Sequence, residues 1–308
     1  MIQAVSLSIE LAGIHLKNPV IAASGTFGYG EEFQRFADLQ RIGGICVKGT
    51  SARPIEGNLP PRLFPTPSGM LNSIGLENVG VDAFIRDKMP FLRSVGCTVF
   101  VNVFGFNKDD YAEVIDKLNS CEGIAAYELN ISCPNTERGG MVFGQSPELT
   151  RQLVRLLKDR SRRPVIVKLS PNVTDIAELA RAAEDAGADA LTVANTFLAM
   201  AIDTKTFKPR IHTTTGGLSG PAIRPITLRM VWQCARAVKI PVIGLGGITK
   251  AEDAVEYFLA GASAVQVGTA NFHDPRATLH VLEGLEKFLK DGGISSIKDI
   301  VGQMRSSV

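Results

Sequence analysis

Two stretches of this chain are near copies of one another, AGADALTV at 186–193 and AGASAVQV at 260–267. Each joins the end of a helical pattern, through a glycine, to a continuous apolar run. A strand–loop–helix unit that recurs in this way restricts the fold sharply, because the parallel strands it produces must be covered by the helices between them. Eight such runs can be read along the chain: Val20–Ala23, Ile45–Lys48, Val99–Val103, Ala126–Asn130, Val165–Leu169, Ala190–Ala194, Val242–Leu245 and Ala264–Val267. Continuous runs of this kind suit strands buried on both faces.

The segments between them carry helix signals. Ser146 is placed to cap a helix whose first residue is Pro147. Leu149, Leu153, Leu156 and Leu157 then form one apolar stripe. Thr249 and Glu252 stand at capping-box spacing, and Gly187 and Gly261 mark two helix ends. Strands alternating with helices give the expected fold class: α/β, a (β/α)8 TIM barrel forming a single domain over 1–308. The opening segment Val5–Leu16 alternates apolar and polar residues around Gly13, which predicts a short N-terminal hairpin closing the bottom of the barrel.

Composition excludes several classes. A formal net charge of +2 on 308 residues gives no electrostatic case for nucleic acid or an anionic membrane surface. The five cysteines, Cys46, Cys97, Cys121, Cys133 and Cys234, are odd in number and share no CxxC spacing. That argues against a disulfide framework, a zinc site or an iron–sulfur cluster held by this chain alone, and no metal is expected. A reducing cytoplasm fits them. Glu10 and Lys17 interrupt the first apolar stretch, so no signal peptide is expected. No run reaches the roughly 18 apolar residues of a membrane span.

In a TIM barrel the chemistry collects at the C-terminal ends of the strands. Polar residues stand there: Lys48, Asn102, Asn130 and Lys168 at strand ends, Asn195 and Thr196 after the sixth strand. Burying such groups unpartnered costs about 1–3 kcal/mol each, so a ligand is expected to satisfy them. Gly246 and Gly247 after the seventh strand, Gly268 and Thr269 after the eighth, and Gly220 in the GGLSG loop can bring backbone N–H groups close to an anion. The segment ELNISCPN at 128–135 places Cys133 on a loop at the barrel mouth, followed by Gly139, Gly140 and Gly144. A thiol on such a loop suits a mobile lid with a reactive group. With no histidine in these strand-end loops, Cys133 is the acid/base candidate. A second long segment, Ser51 to Asn78, is rich in Pro and Gly but contains MLNSIGLEN at 70–78, which predicts an ordered, substrate-facing loop.

Taken together, NPVIAASGTFG (18–28), VKGT (47–50), MLNSIGLEN, ELNISCPN, VKLSPNVTDI (167–176), ANTF (194–197), GGLSGPAIRP (216–225), IGLGGI (243–248) and AVQVGTANF (264–272) resemble the dihydroorotate dehydrogenases, over essentially the whole chain. The membrane-attached class carries a serine where Cys133 stands, and an N-terminal extension that is not expected here. Among the cysteine enzymes, ISCPNTERGGMVFG (131–144) looks more like the NAD-linked type 1B catalytic subunit than the fumarate-linked type 1A. Two departures stand out: Ala194, where bulkier aliphatic residues are common, and Phe104–Phe106, which could alter packing near the flavin.

The resemblance implies FMN as cofactor, contacted by Ser24, Lys48, Gly49, Asn102, Asn130, Lys168, Ala194, Gly220, Gly246, Gly247, Gly268 and Thr269. It implies that Lys48, Asn72, Asn130, Asn135, Asn195 and Thr196 hold dihydroorotate, helped by the backbone of Ser73, Ile74, Gly75 and Leu76. Hydride would pass from C6 to FMN N5 with Cys133 as the base at C5, giving orotate for pyrimidine biosynthesis. Electrons would leave through a partner subunit carrying FAD and a 2Fe-2S cluster and then reduce NAD, in a homodimer within a heterotetramer. The rival readings are type 1A using fumarate, a tRNA dihydrouridine synthase, an aldolase-type barrel with Lys168 as a Schiff base, and a non-catalytic binding protein. Neither an RNA-binding appendage nor a basic face is evident for the second.

Overall fold

The computed structural model of the chain describes residues 5–132 and 143–305. Eight parallel strands close into a barrel: β1 Val20–Ala22, β2 Gly44–Thr50, β3 Val99–Val103, β4 Ala126–Asn130, β5 Val165–Lys168, β6 Ala190–Val193, β7 Val242–Leu245 and β8 Ala264–Val267. They follow one another around the ring, and β8 closes on β1 through Val265 and Val20. Their aliphatic residues are buried on both faces, and β3 is buried at every position, as a parallel sheet sheathed in helices requires. Strands β3, β4, β7 and β8 match the sequence expectation residue for residue. The largest difference is β2, whose pairing with β3 shifts register between Val47 and Thr50. Lys48 and Gly49 occupy that irregularity, the kind of bulge that re-aims a side chain at a barrel rim.

Helices follow every strand except β1. Residues 24–43 run as turns and bends, so the first unit departs from the strict repeat. After β2 the chain is α-helical over Gly80–Ala83 and Met89–Val95, with a π-helical turn at Phe84–Lys88 between them. Pro90 lies just beyond that turn and has no N–H to offer the carbonyl of Arg86, which breaks the regular ladder there. Ser146 caps the Pro147–Arg160 helix as expected, its hydroxyl accepting from the amide of Leu149 at 3.4 Å. The expected Thr249–Glu252 box is shifted by one residue. The helix is Ala251–Leu259, and Asp253 accepts from the amides of Thr249 at 2.9 Å and Lys250 at 3.2 Å. The N-terminal hairpin pairs Ile9–Leu11 with Ile14–Leu16 through a turn with φ of 53° at Ala12 and 77° at Gly13, the twist that tight hairpins favour.

One layer was not legible in the sequence. Gly216–Ser219 and Phe197–Ala199, which leave β6, join a hairpin of Leu63–Thr66 and Gly69–Asn72, which leaves β2, in a four-stranded antiparallel sheet. Both excursions start from C-terminal strand ends, so this sheet stands on the side where a barrel carries its site. The segment Ser51–Asn78 is therefore ordered, and the GGLSG run is largely strand. Glycine is needed at these positions: a Cβ on Gly69 would lie 2.2 Å from the carbonyl oxygen of Ser219. Among the described residues no helix is long and apolar enough to cross a membrane.

Candidate active site

The interior of a TIM barrel is filled by layers of four side chains from alternate strands, usually branched aliphatics. Here the even-numbered strands contribute Cys46, Glu128, Thr192 and Gln266, all buried. Glu128 is the hub. Its Oε2 accepts from the Thr192 hydroxyl at 2.8 Å and the Gln266 amide at 2.7 Å. Its Oε1 accepts from the Asn102 amide at 2.7 Å and the Cys46 thiol at 3.2 Å. Odd-numbered strands bring Lys168, whose ammonium lies 3.6 Å from Oε1 and donates to the Ser24 hydroxyl at 3.1 Å. Ser24 in turn donates to Oε1 at 3.4 Å.

Burial pushes the Glu128 carboxyl up, but Lys168 and the hydrogen bonds from Gln266, Asn102 and Cys46 outweigh it and hold the group below the usual carboxylate value. Burial, then the neighbouring Glu128 charge, pushes the Cys46 thiol well above its usual range. Cys46 is thus a hydrogen-bond donor, not a nucleophile. Asn102 and Lys168, predicted from separate strand ends, and Ser24, expected only from the family resemblance, are brought together around one carboxylate. Glu128 lies inside the ELNISCPN motif and received no role from the sequence. The signal for it was the period-2 pattern of β4, which puts Ala126, Glu128 and Asn130 on one face.

The predicted glycines form a second group. Gly246 and Gly247 are consecutive residues with φ of 140° and 68°, values that only glycine adopts readily. A Cβ on Gly247 would lie 2.8 Å from the carbonyl oxygen of Gly220, and one on Gly220 would lie 3.6 Å from the Thr269 methyl. These three loops therefore converge. The Gly246 carbonyl is pinned by the Tyr257 hydroxyl at 2.6 Å. Among the described residues the amides of Gly246, Gly247, Gly268 and Thr269 donate to no protein group. A Cβ on Gly268 would meet nothing nearer than 3.5 Å. Just after Gly220 the 3-10 turn Pro221–Ile223 leads into the Arg224–Ala237 helix, whose N-terminal dipole adds positive potential. Unused amides, open space and a helix start together suit a phosphate.

The third group is amide-rich. Asn195 donates to the Asn130 side-chain oxygen at 3.1 Å, and the backbone carbonyl of Asn130 is held by the Tyr111 hydroxyl at 2.6 Å. Asn72 donates to the Gly217 carbonyl at 3.1 Å. Thr196 packs against Gly217, where a Cβ would come within 2.2 Å of its hydroxyl. Ser73 accepts from Asn58 at 2.8 Å and from Thr213 at 2.6 Å. Asn78 donates to the Leu76 carbonyl at 2.9 Å, and the Ile74 carbonyl accepts from the Asn58 amide at 3.0 Å. Gly75 and Leu76 take φ of 74° and 60°. Lys48 lies 3.8 Å from Glu77, beside an open cavity also lined by Tyr29, Ile55 and Lys88. Ala194 is buried at the end of β6. Phe104 is buried edge-on to Phe106, 6.3 Å between centroids, and a Cβ on Gly49 would lie 3.1 Å from it.

Two expectations fall elsewhere. Cys133 and Asn135 lie outside the described residues. His212 does stand on the excursion that leaves β6, contrary to the expectation that no histidine occupies such a loop, but its side chain is exposed. Lys168 is ion-paired rather than offered as a free amine, which disfavours a Schiff-base role.

A catalytic subunit named dihydroorotate dehydrogenase B (NAD(+)), from Geotalea uraniireducens, is 54% identical over 298 residues, covering 97% of this chain and 98% of that one. Its namesake from Geobacter sulfurreducens is 54% identical over 302 residues, 98% of this chain and 99% of that one. A relative from Solibacter usitatus, with the provisional name dihydroorotate dehydrogenase A (fumarate), is 56% identical over 299 residues, 97% of this chain and 98% of that one. The family model for dihydroorotate dehydrogenase matches residues 6–289. The chain belongs to the dihydroorotate dehydrogenase family.

Proposed function

We propose that this chain oxidises dihydroorotate to orotate, an oxidoreductase step of pyrimidine biosynthesis, with FMN in the barrel mouth. The observation that carries the cofactor is the convergence of the Gly220, Gly246–Gly247 and Thr269 loops, where among the described residues the amides of Gly246, Gly247, Gly268 and Thr269 donate to no protein group, at the barrel mouth that also holds a buried Lys168. FMN, when bound, supplies the two-electron acceptor that no side chain provides. Gly220, Gly246, Gly247, Gly268 and Thr269 hold its phosphate. Ser24, Lys48, Gly49, Asn102, Asn130, Lys168 and Ala194 flank its ring, and the Lys168 ammonium stabilises negative charge that develops there.

The substrate has ring amides and a carboxylate. Asn72, Asn130, Asn135, Asn195 and Thr196 supply the paired donors and acceptors the amides need. Lys48 faces the carboxylate, and Ser73 to Leu76 contribute backbone groups. Cys133 accepts the proton from C5. A reducing cytoplasm is the compartment proposed for its thiol.

The proposed electron route is a partner subunit with FAD and a 2Fe-2S cluster, reducing NAD, with two copies of each subunit in a heterotetramer. The B-type names of two close relatives support it. The A-type name of a third favours fumarate as the alternative acceptor. Assays of the purified chain decide between them. The chain alone is expected to reduce dyes but not NAD, and to gain NAD reduction when the partner is added. Efficient fumarate reduction by the chain alone would overturn the partner route.

A further inference from the structure

We propose that Glu128 is a positioning residue for the cofactor side of this site. It fixes Ser24, Asn102 and Lys168 and offsets the charge of the lysine, so that a bound flavin meets a carboxylate–ammonium pair instead of a lone cation. The proposal rests on the flavin reading above.

A charged group in a barrel layer that is ordinarily aliphatic is costly unless every lone pair is used. Glu128 meets that condition with donors from strands all around the barrel, at 2.7 Å from Asn102 and Gln266, 2.8 Å from Thr192 and 3.2 Å from Cys46. In general, replacing a buried charge network by apolar side chains of similar volume is often neutral or stabilising. The charge therefore calls for a reason beyond packing, and the residues it holds supply one.

Asn102 donates one of its two amide N–H groups to Glu128, which fixes the orientation of the amide and leaves Oδ1 as an acceptor available elsewhere. That oxygen lies 3.1 Å from where a Cβ on Gly49 would stand, at the irregular stretch of β2. Glu128 thereby selects which end of the amide is presented: an acceptor, which suits the N–H edge of a flat heterocycle. Lys168 is held twice, directly at 3.6 Å from Oε1 and through Ser24, to which it donates at 3.1 Å. A flexible four-carbon stem is fixed in direction by these two contacts. The same carboxylate reduces the net positive field that Lys168 projects.

The test compares wild type, Glu128→Gln and Thr192→Val for FMN dissociation constant, midpoint potential of the bound FMN, and thermal unfolding. Glu128→Gln removes the negative charge, so it is expected to raise the potential and weaken FMN binding several-fold. Thr192→Val takes one donor from the carboxylate without touching a predicted cofactor contact. It leaves the negative charge less compensated, so it is expected to lower the potential by a smaller amount. A merely structural Glu128 would change the melting temperature and leave both potentials at the wild-type value, and that result would overturn the proposal. Should Glu128→Gln fail to fold, Thr192→Val decides alone, a lowered potential supporting the proposal and an unchanged one overturning it. Wild-type chain that binds no FMN would overturn the flavin reading itself, an outcome distinct from FMN bound equally well by all three.

Discussion

Lys168→Met is expected either to lose FMN or to bind it at a potential lower by about 60 mV. A unit charge roughly 6 Å from a ring, at an effective dielectric near 20, contributes about 3 kcal/mol, and 1.4 kcal/mol corresponds to about 30 mV for a two-electron couple. The sign follows from charge. Reduced flavin carries the extra negative charge, so removing a nearby cation disfavours the reduced form. The substitution also leaves Glu128 buried without its ammonium partner at 3.6 Å. Breaking a buried pair costs about 3–5 kcal/mol, so thermal unfolding must be recorded beside the potential. FMN bound at the wild-type potential would show that Lys168 serves only the fold.

Cys133→Ser is expected to slow flavin reduction by dihydroorotate about 10²- to 10⁴-fold at neutral pH, the usual contribution of a positioned general base. A base acts in its deprotonated form. An ordinary thiol titrates near pH 8.5, so the wild-type rate should rise with pH toward that value and then level. A serine hydroxyl is a far weaker acid, so the variant should keep rising and the gap should narrow in alkaline buffer. Rapid mixing of FMN-loaded protein with dihydroorotate across pH reads this directly. A serine variant as fast as wild type at pH 7 would remove Cys133 from the proton transfer.

The barrel was legible because its signals are local. Each strand is a compact apolar run, and caps such as Ser146 need only a neighbouring amide three residues on. Long-range pairing was not legible. The antiparallel sheet joins Asn72 to Gly217, residues whose pairing depends on how the barrel brings β2 and β6 excursions together. Glu128 was hidden for the same reason. A glutamate in a strand means little until donors as distant in sequence as Ser24 and Gln266 arrive around it. The Thr249–Glu252 cap missed by one residue because Asp253, adjacent in sequence, offers an equally good carboxylate. The strand-end residues were found because polar groups at the ends of apolar runs stand out, and the structure gathers Asn102 and Lys168 in one cluster with Ser24, to which only the family resemblance pointed, and Asn130 and Asn195 in another.

The most direct test of the central claim is an anaerobic titration of the FMN-loaded chain with dihydroorotate, followed by flavin absorbance. The account predicts stoichiometric bleaching of the flavin and one orotate formed per FMN reduced. Flavin that stays oxidised under dihydroorotate, yet bleaches fully with a chemical reductant, would contradict it.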